Sequence, residues 1–206
     1  MARSENMTYA SKEHILAALK KGTRLDGRKP DEFRPITLET GMIATAEGSA
    51  HVRCGDTEIL AGVKMAVGKP YSDTPDRGVL MVGAELLPIS NPTFEQGPPS
   101  IESIELARVI DRGIRESKSI DEKALCISPG VSVWMVNVDL CPLNTDGNLI
   151  DVGALAAIAA LKNTRLPKQE DGKVDYHART NEKLPVNGLP LPITVVKIGD
   201  VLLVDP

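Results

Sequence analysis

The pair Gly55-Asp56 separates two strand-like runs, residues 49–54 and 57–67. A two-residue connection of this composition is a tight-turn signal, because glycine takes a positive φ without a Cβ clash. The two runs are therefore read as a β-hairpin. This antiparallel pair sits in the first third of the chain and constrains what the remainder can build.

More strand patterns surround it. Short ones fall at 36–39 and 41–46, a long apolar one at 79–89, an alternating one at 132–140, and two closing ones at 193–197 and 201–205, joined at Gly199-Asp200. Three helices are expected. The first covers 11–21, with Ser11 as N-cap, Glu13 in its first turn and Gly22 ending it. The second covers 101–117, capped by Ser100 after a Gly-Pro-Pro loop. The third, 151–161, is apolar and alanine-rich nearly all round, so it reads as buried and able to let a sheet approach closely. The stretch 145–148 is a turn, and 163–184 reads as a polar, irregular surface loop. Strands do not alternate regularly with helices, which favours α+β over a doubly wound sheet. The expected organisation is an N-terminal helix within 1–22 and one domain over 23–206. The chain stops just after a strand, so the domain reads as shortened at its C-terminus.

Composition removes several classes of function. Aromatic residues make up 3% of the 206 residues, which argues against a platform of stacked rings for RNA. The net charge is −4, so any site for a polyanion must be a local patch. Cys54, Cys126 and Cys141 are odd in number and scattered, as in a protein of the reducing cytoplasm. They form no zinc spacing with His14, His51 or His177. No phosphate-binding loop, dinucleotide fingerprint, signal peptide or membrane-length apolar run occurs.

The helix at 101–117 carries Arg108, Arg112 and Arg115. At 3.6 residues per turn they fall within about 60° of arc. Leu106, Ala107, Ile110, Gly113 and Ile114 lie on the other side. Such a helix can pack by one face and read phosphates with the other, since guanidinium donates bidentately. The competing reading is a solvated, ion-paired face: Glu105 can reach Arg108, and Asp111 can reach Arg108 or Arg115. Ile101 and Ile104 border the arginines. A second basic segment, Arg24-Leu-Asp-Gly-Arg28 followed by Phe33-Arg34-Pro-Ile36, reads on composition alone as a loop turned by Asp26-Gly27 with its charges in water.

That second segment resembles the opening of RNase PH-fold proteins, the phosphorolytic ribonucleases and the ring subunits of the exosome. The likeness continues along the chain. Cys54-Gly-Asp-Thr57 with its following strand resembles the family's hairpin. Glu105 to Arg115 resembles the family helix ending in R-x-x-R, and Asp146-Gly-Asn before the alanine-rich helix resembles its D-G-x turn. Within the family the chain is most similar to the non-catalytic RNase PH-like subunit of the archaeal exosome ring. The resemblance implies an RNase PH-like α+β fold, like ribosomal protein S5 domain 2, with mixed sheets and packed helices. It implies a heterodimer with an active RNase PH-like partner, three such dimers in a hexameric ring, and a cap of RNA-binding subunits. Single-stranded RNA would be shortened there from its 3′ end by phosphate, releasing nucleoside diphosphates. Arg112 falls where phosphorolytic relatives carry a substrate-contacting arginine.

Phosphorolysis brings two anions together, so it needs fixed positive charge around the incoming phosphate. In active family members the D-G turn is followed by a glycine and a Thr-Arg or similar pair at a helix start. Here Leu149 and Ile150 stand in those places, and Asp151, read as an N-cap, would repel phosphate. Asp205 falls where active members carry a carboxylate, but taken alone it reads as a turn or cap residue. The expectation is therefore RNA binding by Arg108, Arg112 and Arg115, with no catalytic residue, metal or cofactor. Two alternatives stay open: a phosphorolytic exoribonuclease acting as a homo-oligomer, and a ring scaffold whose arginines only form ion pairs.

Overall fold

The computed structural model describes residues 9–170 and 173–206. Its elements in chain order are α1 (Tyr9–Lys20), β1 (Ile36–Thr40), β2 (Gly48–Cys54), β3 (Thr57–Gly68), β4 (Val79–Ala84), α2 (Ile101–Glu116), β5 (Cys126–Ser128), β6 (Ser132–Asn144), α3 (Leu149–Asn163), β7 (Arg165–Glu170), β8 (Lys173–Lys183), β9 (Val195–Ile198) and β10 (Val201–Val204).

The hairpin forms as expected, with Gly55 at φ +58°. In β3 the inward residues Ile59, Ala61 and Val63 are wholly buried, and they face Pro142, Leu140 and Val138 of β6 across an antiparallel ladder. The central sheet runs β1-β2-β3-β6-β4, with β5 also paired to β6. Only β4 runs parallel to its neighbour β6, and the crossover between them carries α2. Helix α3 packs on β2, β3 and β6, α2 packs on β4, and the helices touch each other. The result is the expected α+β architecture of mixed sheet and packed helices. Each large aliphatic side chain buried in this layer stabilises the fold by about 1.5–3 kcal/mol.

Alanine lets α3 approach the sheet. Ala156, Ala157 and Ala160 are completely buried. Below them, a Cβ added to Gly48 would collide with the Thr164 hydroxyl and the Ala160 carbonyl. At the other helix contact, Gly153 lies beneath Ile110 of α2.

Several local expectations are corrected. Helix α1 runs from Tyr9, so Ser11 lies within it and not at its cap. Residues 41–46 form no strand: Gly41 turns at φ +78°, and the Ile43 N–H donates to the Ser49 hydroxyl (3.0 Å) instead of to a ladder. The strand expected over 79–89 ends at Ala84, and the chain folds back at Leu87 to Ser90. The stretch 163–184, expected to be irregular, contains the β7–β8 hairpin. Its charges obscure the period of two, and buried Leu166 and Leu184 anchor its ends. The side chain of His177 lies outside the described residues. No helix among the described residues is long and apolar enough to cross a membrane.

Candidate nucleic-acid interface

Helix α2 starts where the Ser100 side chain accepts a hydrogen bond from Ser103 N (3.2 Å), the expected N-cap. Ser103, Leu106, Ala107, Ile110 and Ile114 form its buried stripe. Arg108, Arg112 and Arg115 are exposed on the opposite side, together with Ile101 and Ile104. Gly113, expected on the packed side, is exposed.

The three arginines differ in their surroundings. Arg115 is fastened: it donates to Asp111 through Nη2 (2.8 Å) and Nε (3.2 Å), and to the Leu80 carbonyl of β4 (2.9 Å). Glu122 lies 3.7 Å from its Nη1. Among the described residues, Arg108 and Arg112 have no ion-pair partner, so the Glu105–Arg108 pair of the competing reading does not form. Both line a cavity of about 270 Å³ with Val82, Ala107, Asp111 and Arg115. Two uncommitted guanidinium groups beside a recess can take phosphate oxygens without first breaking an internal ion pair.

The start of α3 has the opposite character. Asn148 holds the N-cap position in the left-handed region (φ 53°, ψ 40°) and makes no side-chain cap bond. Asp151, expected as the cap, is instead a buried residue of the first turn. Its carboxylate accepts from Thr194 N and Oγ1 (both 2.8 Å) and from Asn148 Nδ2 (3.0 Å), tying the helix to the segment before β9. Asn148 Nδ2 also donates to Asp205 Oδ1 (2.8 Å). Two carboxylates, of Asp151 and Asp205, thus share the Asn148 side-chain amide at the start of α3. Leu149 and Ile150 pack against the hydrophobic core and offer no polar side chain to an anion.

Asp205 is the main correction to the sequence reading. It is fully buried, with φ 48°, and does not serve as a solvent-facing turn residue. Arg34 donates to it from the backbone N (3.0 Å), Nε (2.8 Å) and Nη2 (2.7 Å), and Arg28 Nη1 adds a bond of 2.6 Å. Burial by itself would raise the Asp205 carboxyl pKa. The hydrogen bonds from the Arg34 side chain and backbone and from Asn148 outweigh burial and hold it well below the usual carboxylate range. Arg24 donates to the backbone carbonyls of Val204 (2.7 Å) and Asp205 (2.9 Å). The side chains of Arg24, Arg28 and Arg34 are only 12–15% exposed. The R-x-D-G-R segment is therefore an internal clamp on the end of β10, not a solvated loop. The one signal for it in the sequence was the family pattern, since no local period links residues this far apart.

The Ser49 hydroxyl accepts from Ile43 N (3.0 Å), and His51 Nε2 sits 2.6 Å from Glu58. Among the described residues no group of three or more His, Cys, Asp or Glu is placed to hold a metal ion.

Comparison with known proteins sets this geometry in context. Residues 32–167 match the family described as RNase PH, 3′ exoribonuclease family, domain 1. The exosome complex component Rrp42 of Methanocella arvoryzae is 49% identical over 195 residues, covering 95% of this chain and 73% of that protein. Its namesake from Thermoplasma acidophilum is 48% identical, covering 98% and 76%. A solved chain of the Archaeoglobus fulgidus exosome with RNA bound to the active site superposes with a TM-score of 0.86 at 50% identity, covering 95% of this chain and 75% of that one.

Proposed function

The chain belongs to the RNase PH family of 3′ exoribonucleases, and on that premise we propose that it is a non-catalytic exosome core component that binds RNA for an active partner. The observation that carries this reading is the contrast between two helix surfaces. On α2, Arg108 and Arg112 stand exposed and unpaired beside a recess. At the start of α3, where a phosphate would be activated, Asp151 and Asp205 supply negative charge and Leu149 and Ile150 supply none of the donors. An incoming phosphate there would find no donor side chain at Leu149 or Ile150, with the Asp151 and Asp205 carboxylates buried beside it. The chain holds RNA by its backbone, and the phosphate pocket is supplied across a subunit interface by an active RNase PH-like protein.

The relatives support the assembly. Proteins 48–49% identical over nearly the whole chain carry the name exosome complex component Rrp42, and the neighbouring structure is an exosome with RNA at its active site. By that likeness the chain pairs with the active subunit in a cytoplasmic trimer of heterodimers under an RNA-binding cap. Backbone contacts predict little sequence preference.

The test is phosphate-dependent shortening of single-stranded RNA. The purified chain alone should release no nucleoside diphosphate, and adding an active RNase PH-like subunit that co-purifies with it should restore release. Processive phosphorolysis by the chain alone, lost on Asp205→Asn without loss of folding, would establish the homo-oligomeric enzyme instead.

A further inference from the structure

A second and larger recess, about 810 Å³, is also lined by Arg115. Arg115 is thus common to both recesses, and Asp111 and the Leu80 carbonyl hold its guanidinium in place. The walls of the second recess come from separate parts of the chain. Tyr71 and Arg77 belong to the connector between β3 and β4, Lys118 follows α2, and Lys123 precedes β5. The connector is pinned at its end, where Gly78 N donates to the Glu122 carbonyl (2.7 Å) and Gly130 N to the Pro75 carbonyl (2.8 Å).

Its chemistry suits an extended polyanion with flat groups. Tyr71 is 58% exposed, one of the few aromatic residues of this chain and open to solvent. Lys118 leaves the helix in the left-handed region at φ 53° and carries no ion pair, and Lys123 carries none either among the described residues. Among the described residues the Arg77 side chain pairs only with Asp76, at 4.0 Å. Three carboxylates share the wall. Asp121 accepts from Lys123 N (3.1 Å) and Ala124 N (3.2 Å), Glu122 faces Arg115, and Asp73 accepts from Thr74 Oγ1 (3.4 Å). Four cations against three carboxylates would hold a lone anion weakly. Cations spaced along a groove beside an open ring instead fit a strand that offers a phosphate and a base at each step.

We propose that this groove extends the RNA path: a single strand held at Arg108 and Arg112 continues across Arg115, stacks a base on Tyr71 and sets further phosphates against Lys118 and Lys123. The proposal rests on the RNA-binding reading of α2 given above. It adds a length requirement, because a short oligonucleotide fills only the first recess and a longer one reaches the second.

The test is fluorescence anisotropy of labelled oligoadenylates of about 4 and about 10 nucleotides on the full chain, with circular dichroism as a folding check. Lys118→Gln with Lys123→Gln should weaken the longer oligonucleotide about tenfold, lower its salt slope by about 1.4, and leave the shorter one unchanged. Tyr71→Ala should likewise cost about tenfold on the longer one only, and Tyr71→Phe should restore it. Arg108→Glu with Arg112→Glu should weaken both. Wild-type affinity of the lysine variant for the longer oligonucleotide, with both weakened in the arginine variant, overturns the groove and leaves the α2 reading standing. Wild-type binding of both oligonucleotides by the arginine variant overturns the α2 reading and the groove with it. A polyglutamate chain that competes as well as RNA, and equally well after Tyr71→Ala, would make the groove a site for acidic polypeptide and overturn its assignment to RNA.

Discussion

Arg34 and Asp205 are 171 positions apart and are joined by three hydrogen bonds, from the Arg34 backbone N, Nε and Nη2 to the two oxygens of one carboxylate. Arg28 and Asn148 complete the shell. The buried Cys54 thiol lies 3.9 Å from both carboxylate oxygens, and burial pushes its pKa up. Arg34 also donates to the Asp146 carbonyl (2.5 Å), so one side chain joins the segment before β1, the turn before α3 and the end of β10. Gly55 permits this twice over: its φ is positive, and a Cβ there would strike the Arg34 side chain.

Removing the charge at the centre of this cluster should be costly. Asp205→Asn keeps the left-handed backbone accessible but strands two mostly buried guanidinium groups. The expected loss is about 3 kcal/mol, the low end for a broken buried pair, because Arg28 and Arg34 retain Asp26 and Asp146. Urea unfolding of both proteins at neutral pH measures it.

Acid should act through the same carboxylate. Its folded pKa is depressed, so its stabilisation is complete above the unfolded value of about 3.9 and is lost as pH falls below that value. The urea midpoint of the wild-type chain should therefore decline below about pH 4. The decline should be shallower in Asp205→Asn, which has already lost this contribution. Parallel acid limbs in the two proteins would contradict the linkage.

The three arginines of α2 should separate by experiment. Arg112→Gln should change stability by less than about 0.5 kcal/mol, as an exposed unpaired group does. Arg115→Gln should cost about 1 kcal/mol through the lost bonds to Leu80 and Asp111. RNA affinity should fall more in Arg112→Gln. Thermal unfolding and RNA binding on the same preparations give both numbers.

Gly48→Ala tests how closely α3 rides on the sheet. The added methyl would meet the Ala160 carbonyl and Thr164, and Thr164 is already bonded to that carbonyl (2.8 Å). Neither neighbour is a flexible side-chain end, so a loss of about 1–3 kcal/mol is expected by chemical denaturation.

The hairpin at Gly55, the Ser100 cap, the buried stripe of α2 and the alanine-rich α3 were all legible in the sequence, because turn chemistry, capping and periodicity act within a few residues. The family pattern extended that reach to the whole α+β fold. What escaped was either polar on both faces or long-range. The β7–β8 hairpin has too few apolar residues to show its period, and buried Glu47, which accepts from Lys64 (2.8 Å) and Met65 N (2.8 Å), gives no local sign of its burial.

Charge itself is the clearest division. The sequence by itself determined where arginines and aspartates stand and that Arg108, Arg112 and Arg115 share one helix face, because helix geometry is local. Only the tertiary structure decided which of those charges are spent. Arg24, Arg28 and Arg34 are turned inward on β10, Arg115 is fastened to β4, and Arg108 and Arg112 are left open. The reason is physical: an ion pair is set by distance in space, and closing a loop of 171 positions brings together groups that no local pattern relates.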